Sequence, residues 1–188
     1  MLKWILHKMT ERMSQEFNYD NTYLHEVIDV SAVAGLRFLG LPMLSQMKGP
    51  NLELWAGSAL GSVLDGDCGP CAQLVVDDAL MAGVPSQKLR GCLEGNIEAA
   101  GDVGLGFRFS QAAIADTESL TDLREEIIDR FGKLALVSAS YAAASSRAYP
   151  VLKRGLGHGD LCQKIDLDGH KLVVKGALSQ NFDQREVV

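Results

Sequence analysis

Between Leu2 and Pro150 apolar residues recur at intervals of three and four, and strict alternation appears only once, around Asp168-Gly169. A period near 3.6 places such residues on one face of a helix, whereas alternation belongs to a strand with one side buried. The pattern predicts an all-α domain with a small C-terminal β-hairpin. Residues 1–160 read as a single all-helical domain, and 161–188 as the hairpin and a polar tail. With 188 residues, 47% of them hydrophobic and 22% charged, the chain can bury a substantial core.

Leu2, Ile5, Leu6, Met9 and Met13 predict a first helix over 2–16. Thr22 reads as the N-cap of one long second helix over 23–39, ending near Gly40 and Pro42. Asn51 caps the next, whose Leu52, Trp55, Ala56, Ala59, Leu60, Val63 and Leu64 form an unbroken apolar stripe. Gly57, Ser58, Gly61 and Ser62 leave another face of that helix small enough for a neighbour to approach closely. A helix over 68–82 stops at Gly83, with Pro85 beyond, and Ser86 caps a short helix carrying Leu89, Cys92 and Leu93. The glycines of 101–106 neither follow a strand nor stand in the order of a phosphate loop, which argues against nucleotide binding. Ser119 caps a helix with Leu120, Leu123, Ile127, Ile128 and Phe131 on one face, ending at Gly132. The Ala/Ser-rich stretch 134–149 reads as a central helix, halted or kinked at Pro150. Asp168-Gly169 suits a tight turn between Lys164–Leu167 and His170–Val174.

Reactive chemistry concentrates in Asp65-Gly66-Asp67-Cys68-Gly69-Pro70-Cys71. Two cysteines separated by two residues on a first helical turn bring their sulfurs close, and the helix N-terminus favours a thiolate. Asp65 and Asp67 oppose that effect, and Asp67 reads as the N-cap. Cys71, Val75 and Asp78 share a helix face, so Asp78 is a candidate carboxylate base. Thioredoxins carry the same tetrapeptide, but they need a strand leading into it and a later cis-proline loop, and neither is present. A zinc site would need further ligands from Cys92, Cys162, His158 or His170, and there is no second Cys-x-x-Cys and no paired histidine, so neither metal nor cofactor is expected. Cys92, flanked by Leu89 and Leu93, reads as core, and His25 as a lone surface histidine unless it turns toward the cysteine helix. Glu53, Arg147 and Tyr141 are candidates to line a cavity between helices. Arg147 in particular demands a carboxylate, a subunit boundary or a solvated edge.

The net charge is −6 and no run of Lys/Arg exceeds a pair, which favours neither nucleic acid nor an anionic membrane as partner. Met1–Met13 lacks an apolar signal core, and no apolar run of about 18 residues exists. A cytoplasmic, reducing setting is the expectation, and there a close cysteine pair is redox-active or metal-binding rather than a structural staple.

Cys68-Gly69-Pro70-Cys71, the apolar helix after it, Gly83 twelve residues beyond Cys71 and the preceding helix 51–64 together resemble the AhpD-like / carboxymuconolactone decarboxylase superfamily. Residues 123–157 add looser support, and the resemblance covers about 50–157. It implies a helical bundle that assembles as a homo-oligomer. It also implies a thiol-dependent oxidoreductase whose Cys68 and Cys71 reduce a small-molecule hydroperoxide or a partner's disulfide. Three positions depart from the pattern of the thiol-active members. Val75 stands where they carry a His four residues after the second cysteine, Pro70 where some carry a His, and Ala56 where a Glu completes the proton relay. Glu53 is the nearest acid to that last position, so Glu53 and Asp78 are the candidate substitutes. Which cysteine attacks stays open: the helix end favours Cys68, whereas in this superfamily the second cysteine often meets the peroxide. The absent His supports an alternative, a catalytically inactive oligomeric scaffold or binding protein of the same superfamily. A lactone decarboxylase ranks third, because the histidine pattern of that branch is missing.

Overall fold

The computed structural model describes residues 1–17, 19–158 and 164–173. At its centre is the helix Leu52–Asp65 (α5 in chain order), in which every residue from Leu54 to Leu64 is buried. Between Glu53 and Asp65 it carries no charged residue, so nothing resists complete enclosure. Asn51 caps it, its side chain accepting from the Leu54 N–H at 3.0 Å.

The helix Asp102–Ala115 (α8) crosses α5 with backbone close to backbone. Gly57 faces the Val103 carbonyl and the Phe107 amide, and Gly106 faces the Leu54 carbonyl and the Ser58 amide. A Cβ at either position would overlap those atoms. Ser58 Oγ donates to the Gly106 carbonyl at 3.1 Å, satisfying a hydroxyl that has no access to water. Of the glycines of 101–106, Gly106 thus serves the helix crossing that the small face of 57–62 anticipates, while Gly104 faces the Ile97 carbonyl and Gly101 takes positive φ (60°) just before α8. A third helix, Lys133–Ser146 (α10), packs along α5, and Ser62 Oγ donates to its Ala143 carbonyl. The helix Leu120–Phe131 (α9) closes the far side, where Leu54, Leu105, Phe109, Ile127 and Ala139 form one apolar cluster.

On the near side the helix Gly69–Met81 (α6) follows α5 after a tight turn, and Ser86–Leu93 (α7) continues from it. The main core lies between them: Trp55, Leu60, Val63, Val76 and Leu89 are at most 1% exposed. The strands Lys164–Leu167 (β1) and His170–Val173 (β2) pair antiparallel, with Leu167 opposite His170. Asp168 and Gly169 both take positive φ (54° and 75°), as a two-residue turn between right-twisted strands requires. The hairpin belongs to the core. Ile165 and Leu167 are fully buried, and Gln73 of α6 bonds the Asp166 backbone in both directions. The expected boundary at 160/161, Cys162, the last strand residue Val174 and the polar tail lie outside the described residues.

The N-terminal region departs from expectation in one respect. After Leu2–Phe17 (α1), the single helix expected over 23–39 is two helices, Thr22–Val30 (α2) and Ala32–Gly40 (α3). Ser31 is extended between them, and its hydroxyl caps α3 by accepting from the Ala34 N–H at 3.2 Å. This local bond competes with helix continuation, so the chain turns back on itself. Gly35 then fits against Ile28, where a Cβ would meet the isoleucine side chain. The N-cap of α2 is Asn21 and that of α7 is Pro85, each one residue earlier than expected. Ser119 holds the cap position of α9 without a side-chain bond to the helix, its hydroxyl pairing with that of Thr117 instead. The short helix Pro42–Ser45 (α4) leads back to α5. Near Pro150 the chain breaks at Arg147 and resumes as Ala148–Gly155 (α11), with the proline in the first turn, where its missing N–H is harmless.

Gly106→Ala is expected to destabilise the protein by about 2–3 kcal/mol, read as a lower urea midpoint, because the obstacle is backbone and cannot rotate away. Gly40→Ala, with nothing within 4 Å of its Cβ position, is the control: unchanged, or more stable by up to about 1 kcal/mol.

Candidate functional site

α5 ends at Asp65, and the chain reverses through Gly66 and Asp67, the latter in left-handed conformation with φ 53°. A left-handed residue cannot cap the next helix in the usual way, which requires extended backbone. Cys68 takes that role instead of Asp67: it is extended (φ −125°, ψ 96°) and its Sγ accepts from the Cys71 N–H at 3.3 Å. Cys68 and Cys71 are joined as a disulfide with their Cα atoms 5.3 Å apart. Pro70 lies in the first turn, where no intrahelical donor is lost.

The two sulfurs belong to different surroundings. Cys71 is 3% exposed and lines a cavity of about 260 Å³ enclosed by α1 to α6 and α10–α11. Its walls are mostly aromatic and aliphatic, among them Phe17, Tyr23, Phe38, Trp55, Leu74 and Tyr149. Polar groups are few. Tyr149 OH and Ser45 Oγ are paired at 3.1 Å, and the Ser45 carbonyl accepts from Trp55 Nε1–H at 2.7 Å. Burial raises the hydroxyl pKa of Tyr19, Tyr23 and Tyr149, so these groups stay neutral donors. Cys68 is half-buried and faces a shallow niche with Asp67, Pro150, Lys153, Arg154 and His158. Asp65, an expected source of repulsion for a thiolate, is ion-paired with Arg147. Arg154 donates to the Gly66 carbonyl, and Lys153 packs its ammonium over the Tyr19 and Tyr23 rings. A cation therefore balances Asp65, the acid that ends α5.

Asp78 is brought to the cavity together with Cys71, Leu74 and Val75, as their common helix face predicts. Its Oδ1 accepts from Lys48 Nζ at 2.9 Å, while Oδ2 is shielded from solvent and has no hydrogen-bond partner among the described residues. Lys48 Nζ also sits 4.6 Å from the centre of the Trp55 ring. Glu53 is placed elsewhere, bonded through both oxygens to Lys88 Nζ at 2.6 and 2.8 Å, and does not line the cavity. Arg147 finds its carboxylate in Asp65, and Tyr141 is 42% exposed on the outer side of α10, so neither lines the cavity. His25 turns away from the cysteine helix to stack on His7, Nδ1 to Nδ1 at 2.5 Å. Cys92 is buried in the core, and desolvation pushes its thiol up to about 12.

Lys48 and the aromatic lining from α1 to α3 went unnoticed in the sequence. Lys48 stands just before Gly49-Pro50-Asn51 and carries no motif. Phe17 and Tyr23 flank the break at 18–21 and Tyr19 lies within it, a local aromatic enrichment that offered a signal. Among the described residues no group of three or more His, Cys, Asp or Glu is placed to hold a metal ion, and no helix is long and apolar enough to cross a membrane.

No protein-family model, curated protein or solved structure matches this chain.

The thiol of Cys92 is expected to escape alkylation at pH 8 in the folded, reduced protein and to react fully in denaturant. Peptide mass spectrometry after labelling in each state checks this; labelling of Cys92 in the folded state would contradict its burial and raised pKa.

Proposed function

We propose that the protein is a thiol–disulfide oxidoreductase in which Cys68 and Cys71 cycle between dithiol and disulfide, reducing a hydroperoxide or the disulfide of a partner. The observation that carries this reading is the placement of the bonded pair: one sulfur belongs to a half-buried residue at a helix end and the other lies in the wall of a cavity. A purely structural staple across three residues constrains little chain and has no use for such a cavity. The arrangement also agrees with the AhpD-like resemblance of residues 50–157, which supplies the reaction class.

In this reading Cys71 meets the substrate. Its thiolate attacks the outer oxygen of a hydroperoxide, the O–O bond breaks, and the alcohol leaves with a proton while Cys71 becomes a sulfenic acid. Cys68 sulfur then attacks Cys71 sulfur, hydroxide leaves as water with the Cys68 proton, and the disulfide closes. An external dithiol, or two thiols in turn, returns two electrons and two protons: the first sulfur attacks Cys68 to form a mixed disulfide and frees Cys71, and the second attacks that mixed disulfide, frees Cys68 and leaves as the oxidised disulfide. Asp78, held by Lys48 on the cavity wall, takes the Cys71 thiol proton and returns it to the departing alkoxide, the task that a histidine at Val75 would otherwise have had. A homo-oligomer belongs to the same reading. Leu134, Val137 and Tyr141 support it, exposing an apolar stripe along α10 at spacings of three and four.

Titration of free thiols against a dithiol redox buffer is expected to show a reversible two-electron couple between about −200 and −300 mV. Cys68→Ser and Cys71→Ser should each abolish it. Thiols that stay unreactive toward the buffer until the protein unfolds would remove the redox reading and leave the non-catalytic scaffold in its place.

A further inference from the structure

Lys153 of α11 is 7% exposed, and its ammonium meets no hydrogen-bond acceptor and no carboxylate among the described residues. What surrounds it is aromatic: the Tyr19 and Tyr23 rings, their centres 5.3 and 5.4 Å from Nζ. Two rings offset part of the cost of burying the charge, but they leave its N–H donors without acceptors. Acids nearby are engaged elsewhere. Asp20 accepts from the Thr22 hydroxyl and N–H at 2.6 and 3.0 Å, Glu26 bonds His158 at 2.6 Å, and Asp65 is paired with Arg147. Nor is the ammonium sealed. Among the described residues, the buried side-chain atoms that lack a partner and are also shut off from solvent are Asp78 Oδ2 and Arg108 Nε, and Lys153 Nζ is not one of them. Lys153 lines the niche at Cys68 and not the aromatic cavity, so the opening is on the side of the disulfide. A buried ammonium with unused donors and an opening is completed by an acceptor from outside, and an anion compensates it best.

We infer that this niche is the docking site of the reductant, and that the reductant is a small thiol carrying a carboxylate, whose oxygen accepts from Lys153 Nζ while its sulfur attacks Cys68. The inference rests on the oxidoreductase reading and names the thiol chemistry that reading leaves open. The incoming thiolate sulfur bonds Cys68 Sγ, the Cys68–Cys71 bond breaks, and Cys71 leaves with the electron pair and takes up a proton. A second equivalent of the thiol then attacks the mixed disulfide, frees Cys68 and departs as the oxidised disulfide. The niche offers about 10 Å³, room for one water molecule or one carboxylate oxygen, which a bulky phosphate head would exceed. Arg154 adds a second cation to its lining, against the one carboxylate of Asp67. A neutral thiol would leave the ammonium without its acceptor, and an ammonium thiol would bring like charge to it. The chain's net charge of −6 acts against an anion at long range. That field is screened beyond about 8 Å at physiological salt, whereas a contact inside the niche is screened much less. A preference for a carboxylate therefore has to come from the niche.

Reduction of the wild-type disulfide by mercaptopropionate, mercaptoethanol and mercaptoethylamine tests it, since the three share a spacer and end in a carboxylate, a hydroxyl and an ammonium. Each rate is divided by that of the same thiol toward the same disulfide in the urea-denatured chain, which cancels differences in ionisation and nucleophilicity. The normalised rates are expected to fall in the order carboxylate, hydroxyl, ammonium, with at least about tenfold between first and last, the margin of a charge-assisted hydrogen bond. In Lys153→Met, which keeps the stem and removes the charge, that span should shrink to about threefold or less. Lys153→Arg should keep it, as should Lys133→Met at an exposed lysine opening α10; circular dichroism confirms that each variant is folded. Equal normalised rates in the wild type, the reverse order, or a uniform slowing of all three thiols in Lys153→Met would overturn the inference and leave the oxidoreductase reading standing. Reduction by none of the three until the protein unfolds would remove that reading, and this inference with it.

Discussion

The close crossing of α5 and α8 is the constraint on which the other parts depend. At Gly57 and Gly106 the space a side chain would occupy is taken by the partner helix's carbonyl and amide groups, so the two helices cannot slide past one another. With α10 packed along it as well, α5 is enclosed for almost its full length. A helix held this firmly fixes whatever leaves its ends. Its C-terminus delivers the chain through Gly66 and a left-handed Asp67 directly into Cys68. Its exposed-core side gives Trp55, Ala59 and Val63 to the cavity that Cys71 lines. The rigid element and the reactive one are therefore adjacent in sequence and share a wall.

That continuity explains how a pair of cysteines three residues apart can face two environments. The first turn of α6 rotates Cys71 inward toward the aromatic cavity and leaves Cys68 at the helix start, under the polar residues of α11. Beside Cys68, Asp65 is met by Arg147, 82 positions downstream. This ion pair is partly exposed and contributes little to stability, but it neutralises a carboxylate close to the sulfur. On the cavity side the single carboxylate is held by Lys48, from a segment with no recognisable motif.

Much of this was legible in the sequence. The stripe from Leu52 to Leu64, the stop at Gly83 and the Asp168-Gly169 turn all follow from local rules of periodicity, capping and backbone freedom. Asp78 was placed with Cys71 by helical spacing, a relation within one element. Expectations failed where a local competitor or a distant partner decided. Ser31 split the helix expected over 23–39 because its hydroxyl caps the next turn. Cys68 displaced Asp67 as cap because Asp67 had to make the reversal from α5. Glu53 was matched with the site on its distance along the chain from Cys68, but Lys88 lies on its side of α5 and holds it there.

The sequence by itself determined the helices, the small face of α5 and the cysteine pair at a helix start, because each depends on residues within a turn or two of one another. Only the tertiary structure decided that Gly106 belongs to a helix crossing, that Arg147 neutralises Asp65, and that aromatic residues from five helices enclose a space beside Cys71. Those outcomes depend on which faces meet across tens of residues. That is settled by packing and the exclusion of water, not by the spacing of neighbours along the chain.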